Sequence, residues 1–200
     1  MVSFRTFVTS ALALAAPIAA QTASQVVSNI NTLTQQAQAL QPVAQQIMLI
    51  DTILLAAGQG KYPQIITGLA TQTQTVTTYV NQMQGAAAIT DATEATSVYD
   101  AFRSFVQAEQ ALLNVLIGKA GLANTAPFVG APISAVLRAL EGSLDAFDFG
   151  LIDQVPSRSS DLTTLTQALS QTLDTAIRQY SGIVNKRSLR FARREVATEA

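Results

Sequence analysis

Apolar side chains recur three or four residues apart along almost the whole chain, from about residue 24 to residue 182. This spacing is typical of amphipathic α-helices. No segment shows sustained alternation of apolar and polar residues between turn signals, so the pattern predicts no strand. Because short loops join the predicted helices, we expect an all-α fold, an antiparallel bundle of five or six amphipathic helices.

Proline and glycine residues divide the pattern into separate stripes, because both residue types tend to break or end helices. The pattern is interrupted at Pro42, at residues 58–60, at Gly85, at residues 118–121 and at Pro156. Thr90 or Asp91 can cap the helix of the fourth stripe. After that stripe, the sequence predicts a loop that contains Pro127, Phe128 and Pro132.

The segment IMLIDTILLAAG, residues 47–58, is apolar on almost every side of a helix. Such a helix is buried, embedded in lipid, or in contact with an apolar body outside its own chain. The apolar run is eleven residues long and contains Asp51, so it is too short to cross a membrane. We expect a central helix packed between its neighbours. The alternative gives one side of this helix to a bound acyl chain, with Asp51 at the rim.

Residues 1–20 have the pattern of a secretory signal peptide, with Arg5 before an apolar stretch and small residues up to Ala20. The alternative is a membrane-anchoring first helix. The remainder of the chain has no Asn-X-Ser/Thr sequence and no apolar C-terminal tail. We therefore expect a secreted protein, extracellular or in the cell wall, with no transmembrane segment in the mature chain and no covalent lipid anchor.

The residue types that are missing exclude several kinds of chemistry. Cysteine and histidine are absent, which excludes disulfides, thiolate nucleophiles and a Ser-His-Asp triad. The net charge of −1 gives no reason to expect nucleic acid as a partner. The acidic residues of one segment favour a solvated helix face over a catalytic pair; they are Glu141, Asp145, Asp148 and Asp153. We expect no catalytic residue, no cofactor and no metal site, although composition leaves a weak Ca²⁺ site open.

The C-terminal segment differs from the body of the chain in its charge. Residues 21–182 contain six basic and eleven acidic residues, whereas residues 183–200 contain five basic ones. The segment is expected to be a flexible or processed basic tail. Lys186-Arg187 and Arg193-Arg194 are dibasic pairs of the kind that secretory proteases cut. The alternative is a solvated tail that binds acidic wall polymer.

Three stretches of the sequence resemble one known protein family. They are VVSNINTLTQQAQAL at residues 26–40, the segment from VYDAFRSF to LIDQVP at residues 98–156, and LDTAIRQYSG at residues 173–182. Together they are similar to the fungal hydrophobic surface-binding protein A family, which includes the cell-wall galactomannoprotein antigens. The resemblance covers about residues 24–182 and consists of apolar helix positions rather than a catalytic signature.

The resemblance implies a secreted or wall-associated protein without enzymatic activity. Such a protein binds hydrophobic surfaces or fatty acids, through apolar helix faces or a cavity between helices. Its implied partners also include secreted polyester hydrolases and cell-wall polysaccharide. The alternative is a structural cell-wall mannoprotein antigen without a specific ligand. The candidate contact residues are the apolar side chains Ile50, Leu54, Val98, Phe102, Phe105, Leu112, Leu116, Phe128, Leu137, Leu140, Leu144 and Phe147.

Overall fold

The computed structural model describes residues 21–123 and 127–198, and the side chains of residues 21–55, 57–123 and 129–181. Its α-helices are α1 (Ala23–Gln45), α2 (Leu49–Leu54), α3 (Lys61–Met83), α4 (Ala92–Ala123), α5 (Pro127–Gln154) and α6 (Ser159–Thr198). Short 3₁₀ turns follow α2 and precede α6, at Leu55–Ala57 and Pro156–Arg158. The described residues contain no strand, which confirms the predicted all-α fold. The predicted signal peptide lies outside the described residues.

The five long helices form a closed ring in which each helix packs against two others. The order around the ring is α1, α4, α6, α5 and α3, and α3 packs in turn against α1. The short helix α2 lies at one end of the ring. There Lys61, at the start of α3, and Lys119, near the end of α4, both contact the segment around it. The ring therefore encloses a common interior, and α2 lies at its end.

Consecutive long helices run in opposite directions, but only some of the packed pairs are antiparallel. Side-chain hydrogen bonds from Asn29 to Gln82 and from Gln36 to Thr75 join α1 to α3 in antiparallel orientation. Helices α4 and α6 are parallel, because Thr96 contacts Arg158 near their first turns and Leu116 contacts Tyr180 further along. By the same alternation α1–α4 and α3–α5 are parallel. Among the neighbouring pairs of the ring, the antiparallel arrangement predicted from the sequence is therefore found for α1–α3 and α5–α6, whereas the other three pairs are parallel.

Two of the predicted helix ends are wrong, because burial outweighs local propensity. Helix α4 continues through residues 118–121 to Ala123. Glycine costs about 1 kcal/mol in a helix relative to alanine, and the burial of Ala120 and Ala123 offsets it. Helix α5 begins at Pro127, where a loop was predicted. A proline fits the first position of a helix because its missing N–H would have no helical partner there.

Helix α1 begins with a capping box and continues past the proline that was expected to break it. The Thr22 hydroxyl accepts a hydrogen bond from the Gln25 backbone N–H, and the Gln25 side chain accepts one from the Thr22 N–H. Pro42 lies inside the helix, and the break falls at residues 46–48 instead. Where α1 crosses α3, Leu40 packs directly on Gly68, and a Cβ at that glycine would overlap the Leu40 methyl groups.

The end of α6 contains the predicted basic tail. Its helix extends from Ser159 to Thr198 without interruption at residue 182. The side chains of Lys186, Arg187, Arg193 and Arg194 lie outside the described ones, so their availability to a protease stays a prediction. Within the described residues, no helix combines the length and the apolar character that crossing a membrane requires.

Candidate functional site

The candidate contact residues of α4 and α5 are brought together inside the bundle. Those with described side chains are at most 2% exposed to solvent: Val98, Phe102, Phe105, Leu112, Leu116, Leu137, Leu140, Leu144 and Phe147. The rings of Phe102 and Phe105 lie 6.1 Å apart, centroid to centroid, and are tilted by 41°. The Phe128 side chain lies outside the described ones. The predicted residues of both helices therefore share one apolar core.

The remaining candidates, Ile50 and Leu54, lie elsewhere, on α2. Ile50 is 51% exposed and Leu54 is half-buried. The predicted burial of this segment as a central helix is therefore wrong. Helix α2 has only six residues and lies at the end of the ring, where one side of it contacts α3 and α4 and the other side faces outward. Met48, Leu49, Ile50 and Ile53, all more than half exposed, form a surface that we call the α2 patch.

Asp51 fixes the conformation of the segment that carries the α2 patch. Its carboxylate accepts one hydrogen bond from the Met48 backbone N–H at 2.8 Å and another from the Lys61 N–H at 2.9 Å. Gly60, with a φ of +88°, permits this contact, because a Cβ there would lie 2.8 Å from Asp51 Oδ1. Asp51 is only 4% exposed. The expectation that it lies at the rim of an acyl site is therefore wrong, because it satisfies backbone donors instead.

Two polar side chains meet in the interior of the ring, Gln72 of α3 and Glu109 of α4. Both are fully buried. Gln72 Nε2 donates a hydrogen bond to Glu109 Oε2 at 2.5 Å. Helices α3 and α4 are not neighbours in the ring, so this contact, the Gln72–Glu109 pair, crosses the interior. The remaining Oε1 atom of each residue has no hydrogen-bond partner among the described residues.

Burial determines the protonation state of the Gln72–Glu109 pair. It raises the pKa of Glu109 to about 7, although the hydrogen bond from Gln72 lowers it in part. At acidic pH, Glu109 is therefore a neutral carboxylic acid whose free oxygen can carry a proton and donate it. Gln72 Oε1 is an acceptor. The pair thus offers one donor and one acceptor within an apolar interior.

Neither member of this pair is predicted from the sequence as a site residue, although the sequence contains a signal. Gln72 lies between Leu69 and Val76 in the buried stripe of α3, and Glu109 lies between Val106 and Leu112 in that of α4. A polar residue at a buried stripe position needs a partner. The spacing from Leu69 to Val76 fits Thr73 as well as Gln72, and it does not show that Gln72 and Glu109 point at each other.

A pair of buried tyrosines lies nearer to α2. Tyr62 of α3 and Tyr180 of α6 are fully buried, and the Tyr180 hydroxyl donates to the Leu116 carbonyl at 2.8 Å. The Tyr62 hydroxyl has no partner among the described residues. Burial, and then the charge of Asp51, raises the pKa of Tyr62 to about 12. Tyr62 and Gln72 are about 15 Å apart along α3 at 1.5 Å per residue, so polar groups occur at separate levels of the interior.

The acidic segment of α5 is only partly the solvated face that the sequence predicts. Asp145 and Asp153 are exposed, but Asp148 is 3% exposed. Burial raises the pKa of Asp148 to about 7 and also raises that of Glu141. Asp148 lies at the interface between α5 and α6, because the Thr166 side chain of α6 is close enough to lower its pKa in part. Among the described residues, no group of acidic side chains is arranged to hold a metal ion.

A groove of about 350 Å³ lies at the end of the bundle opposite α2, where α3 and α5 finish. Met83, Gly150 and Gln154 contribute to its lining. The side-chain amide of Gln154 is buried, and neither its nitrogen nor its oxygen has a partner among the described residues. The groove is open to solvent and is separate from the Gln72–Glu109 pair.

Comparison with known proteins gives matches of structure but not of sequence. No protein-family model matches the chain, and the comparison with curated proteins gives no match. The crystal structure of AfMP4p in complex with palmitic acid has a TM-score of 0.62 and 19% sequence identity, covering 80% of this chain and 99% of that one. Ligand binding domain 1 of the Penicillium marneffei MP1 protein, complexed with arachidonic acids, has a TM-score of 0.61 and 16% identity, covering 78% and 95%. The TM-scores establish that the three chains share a fold, and sequence identities this low establish nothing beyond it.

Proposed function

We propose that this protein is a non-enzymatic binding protein that holds a fatty-acyl ligand between the helices of its ring. The observation that carries this proposal is the Gln72–Glu109 pair, in which two buried oxygen atoms have no partner among the described residues although an apolar interior surrounds them. Buried polar groups in proteins are almost always hydrogen-bonded, since each unsatisfied one costs about 1–3 kcal/mol. A ligand group that pairs with them removes this cost. The fold is also shared with two structures that contain fatty acids.

The apolar side chains of α4 and α5 supply the rest of the proposed site. Phe105 and Leu112 on α4, and Leu137 and Leu144 on α5, belong to one buried cluster. Each CH₂ group of a ligand that leaves water for such surroundings contributes about 0.8 kcal/mol, before the cost of ordering the chain is subtracted. A long acyl chain therefore has the chemistry that this interior favours.

Native mass spectrometry of the purified protein, stripped of lipid and then mixed with palmitic acid, tests this function. We expect a single added mass of one palmitic acid per chain, because one interior holds one chain. Uptake that fails to appear, or that rises without saturation, would contradict an internal site. The same spectra give the mass of the mature chain, and so test the cleavage predicted after Ala20 and within the basic tail.

A second function, adsorption to hydrophobic surfaces, is favoured by the α2 patch. Single exposed apolar residues are ordinary, whereas a contiguous group of them marks a contact surface. Leu49, Ile50 and Ile53 belong to one short helix, which Asp51 holds in place through its two backbone hydrogen bonds. The patch therefore needs no rearrangement before it can contact an apolar surface.

We expect the double variant Leu49→Ser/Ile53→Ser to adsorb to a polyester film severalfold more weakly than the unaltered protein, because it removes two of the four exposed apolar side chains of the patch. The matched control is Phe149→Ser, which removes an isolated side chain that is 71% exposed. Adsorption measured by quartz-crystal microbalance should separate the two variants, and palmitic acid uptake should stay unchanged in both. Equal losses of adsorption would mean that the patch has no special part in it.

We further propose that the protein belongs to the fungal hydrophobic surface-binding protein A family and is secreted or retained in the cell wall. The support is the resemblance of residues 24–182 to that family, and the signal-peptide pattern of residues 1–20. In that case the partners of this protein at the surface are secreted polyester hydrolases and cell-wall polysaccharide, as the resemblance implies. A surface-bound α2 patch would leave the long helices of the ring available to such partners.

A further inference from the structure

We propose that Gln72 and Glu109 form the docking site for the free carboxyl group of the acyl ligand. This inference rests on the proposed function and narrows it, because it makes the ligand a fatty acid rather than an ester or a hydrocarbon. The structural basis is the position of the pair. Two helices that do not pack on each other, α3 and α4, extend long polar side chains that meet inside the ring.

The hydrogen bond between the two side chains leaves a specific set of unused atoms. Gln72 Nε2 and Glu109 Oε2 are paired with each other, which leaves Gln72 Oε1 and Glu109 Oε1 without a partner among the described residues. Both residues are fully buried, so bulk water does not reach these atoms. A ligand that supplies both a donor and an acceptor would satisfy the oxygen that remains on each side.

The chemistry of these two free atoms matches that of a carboxylic acid. Glu109 is neutral at acidic pH, because burial raises its pKa to about 7, and its Oε1–H group then donates. The carbonyl oxygen of a ligand carboxyl can accept this hydrogen bond, while the ligand O–H group donates to Gln72 Oε1. A methyl ester retains the carbonyl but has no O–H group. A hydrocarbon has neither.

The acyl chain has apolar surroundings in the stripes that contain the pair. Leu69 and Val76 flank Gln72 on α3, and Val106 and Leu112 flank Glu109 on α4; all are buried. The level of Tyr62, about 15 Å along α3, is separated from the pair by the buried side chains of Ile65 and Leu69. On both helices, the pair is thus a single polar position between apolar turns. A ligand with one polar end could place that end at the pair and its acyl chain against the apolar turns.

The test compares the binding of palmitic acid and methyl palmitate at pH 4, where Glu109 is neutral and a carboxylic acid of ordinary pKa is largely protonated. The unaltered protein should bind palmitic acid about tenfold more tightly, because the ester leaves Gln72 Oε1 without a donor. The double variant Gln72→Leu/Glu109→Leu should bind both ligands with equal affinity. The matched control is Gln154→Leu, which removes a buried amide outside the interior site and should keep the preference for the acid.

A conservative variant keeps the test valid if the double variant does not fold. Glu109→Gln preserves the shape and supplies an N–H donor in place of the carboxyl proton, so it should retain a preference for palmitic acid. The loss of that preference in Glu109→Gln, or its persistence in a folded double variant, would overturn the inference.

The possible results also separate this inference from the proposed function. If the unaltered protein binds neither palmitic acid nor methyl palmitate, the proposed function fails and the inference fails with it. If it binds both equally, the interior holds acyl chains but the Gln72–Glu109 pair does not recognise the carboxyl group. The second result would assign the free oxygens to buried water.

Discussion

Raising the pH from 4.5 to 8 is expected to lower the free energy of unfolding by roughly 3 kcal/mol for each of the buried carboxyls Glu109 and Asp148. Burial raises the pKa of both to about 7 in the folded protein, from ordinary values of 4.5 and 3.8. Between the ordinary and the raised pKa, the folded state binds more protons than the unfolded chain. Stability therefore falls with rising pH across this window. Below pH 4 and above about pH 7, the contribution of these two groups to the free energy of unfolding changes little with pH.

Urea unfolding at pH values between 4 and 8 measures this effect. Glu109→Gln and Asp148→Asn should each remove one part of the pH dependence, because an amide does not titrate. Asp153→Asn, at an exposed position of the same helix as Asp148, should leave the pH dependence unchanged. Stability that stayed level or rose between pH 4.5 and 7 would show that neither buried carboxyl is neutral in the folded protein.

Replacing Phe105 by alanine is expected to lower the free energy of unfolding by about 3–5 kcal/mol, the usual cost of removing a large buried aromatic side chain. Phe105 is fully buried and lies beside Phe102 in the core. The matched control is Phe149→Ala on α5, at a side chain that is 71% exposed. Because Phe149 loses little contact with other residues, we expect its change to lie within about 0.5 kcal/mol.

Urea unfolding of the two variants at pH 5 and without ligand gives both values. The comparison also reports how tightly the interior is packed before a ligand enters. A cost well below about 3 kcal/mol for Phe105→Ala would contradict a close-packed core. It would instead place Phe105 at the wall of a space that is already open. The same variant, measured with palmitic acid present, shows whether ligand binding restores part of the lost stability.

The helical class and the core residues could be predicted from the sequence because both depend on periodicity. The stripes that contain Phe102, Leu116, Leu140 and Phe147 are buried as predicted. Helix ends were less predictable. The local preferences of Gly118 and Pro127 predict a helix end and a loop. In the structure, residues 118–121 are helical because neighbouring turns are packed, and α5 begins at Pro127.

The position of α2 and the pairing of Gln72 with Glu109 could not be predicted, for a different reason. Apolar residues on all sides of residues 47–58 indicate contact with something apolar, yet the ring leaves Ile50 and Ile53 exposed. That outcome depends on where the ring places the segment. Likewise, the spacing of Gln72 and Glu109 from their apolar neighbours places each residue only at or beside the apolar stripe of its own helix. Their meeting depends on the order of the helices around the ring, which no local pattern encodes.

The order of the helices around the ring also has a consequence for the rate at which the chain folds. Several contacts that close the ring join distant parts of the sequence. Ile47 and Lys119 are 72 residues apart, and Thr96 and Arg158 are 62 apart. Chains whose contacts are separated in this way fold more slowly than helical bundles built from successive hairpins. The interior is complete only after α6 has joined both α4 and α5. We therefore expect the five long helices to fold as one cooperative unit, whose rate is set by the closure of the ring.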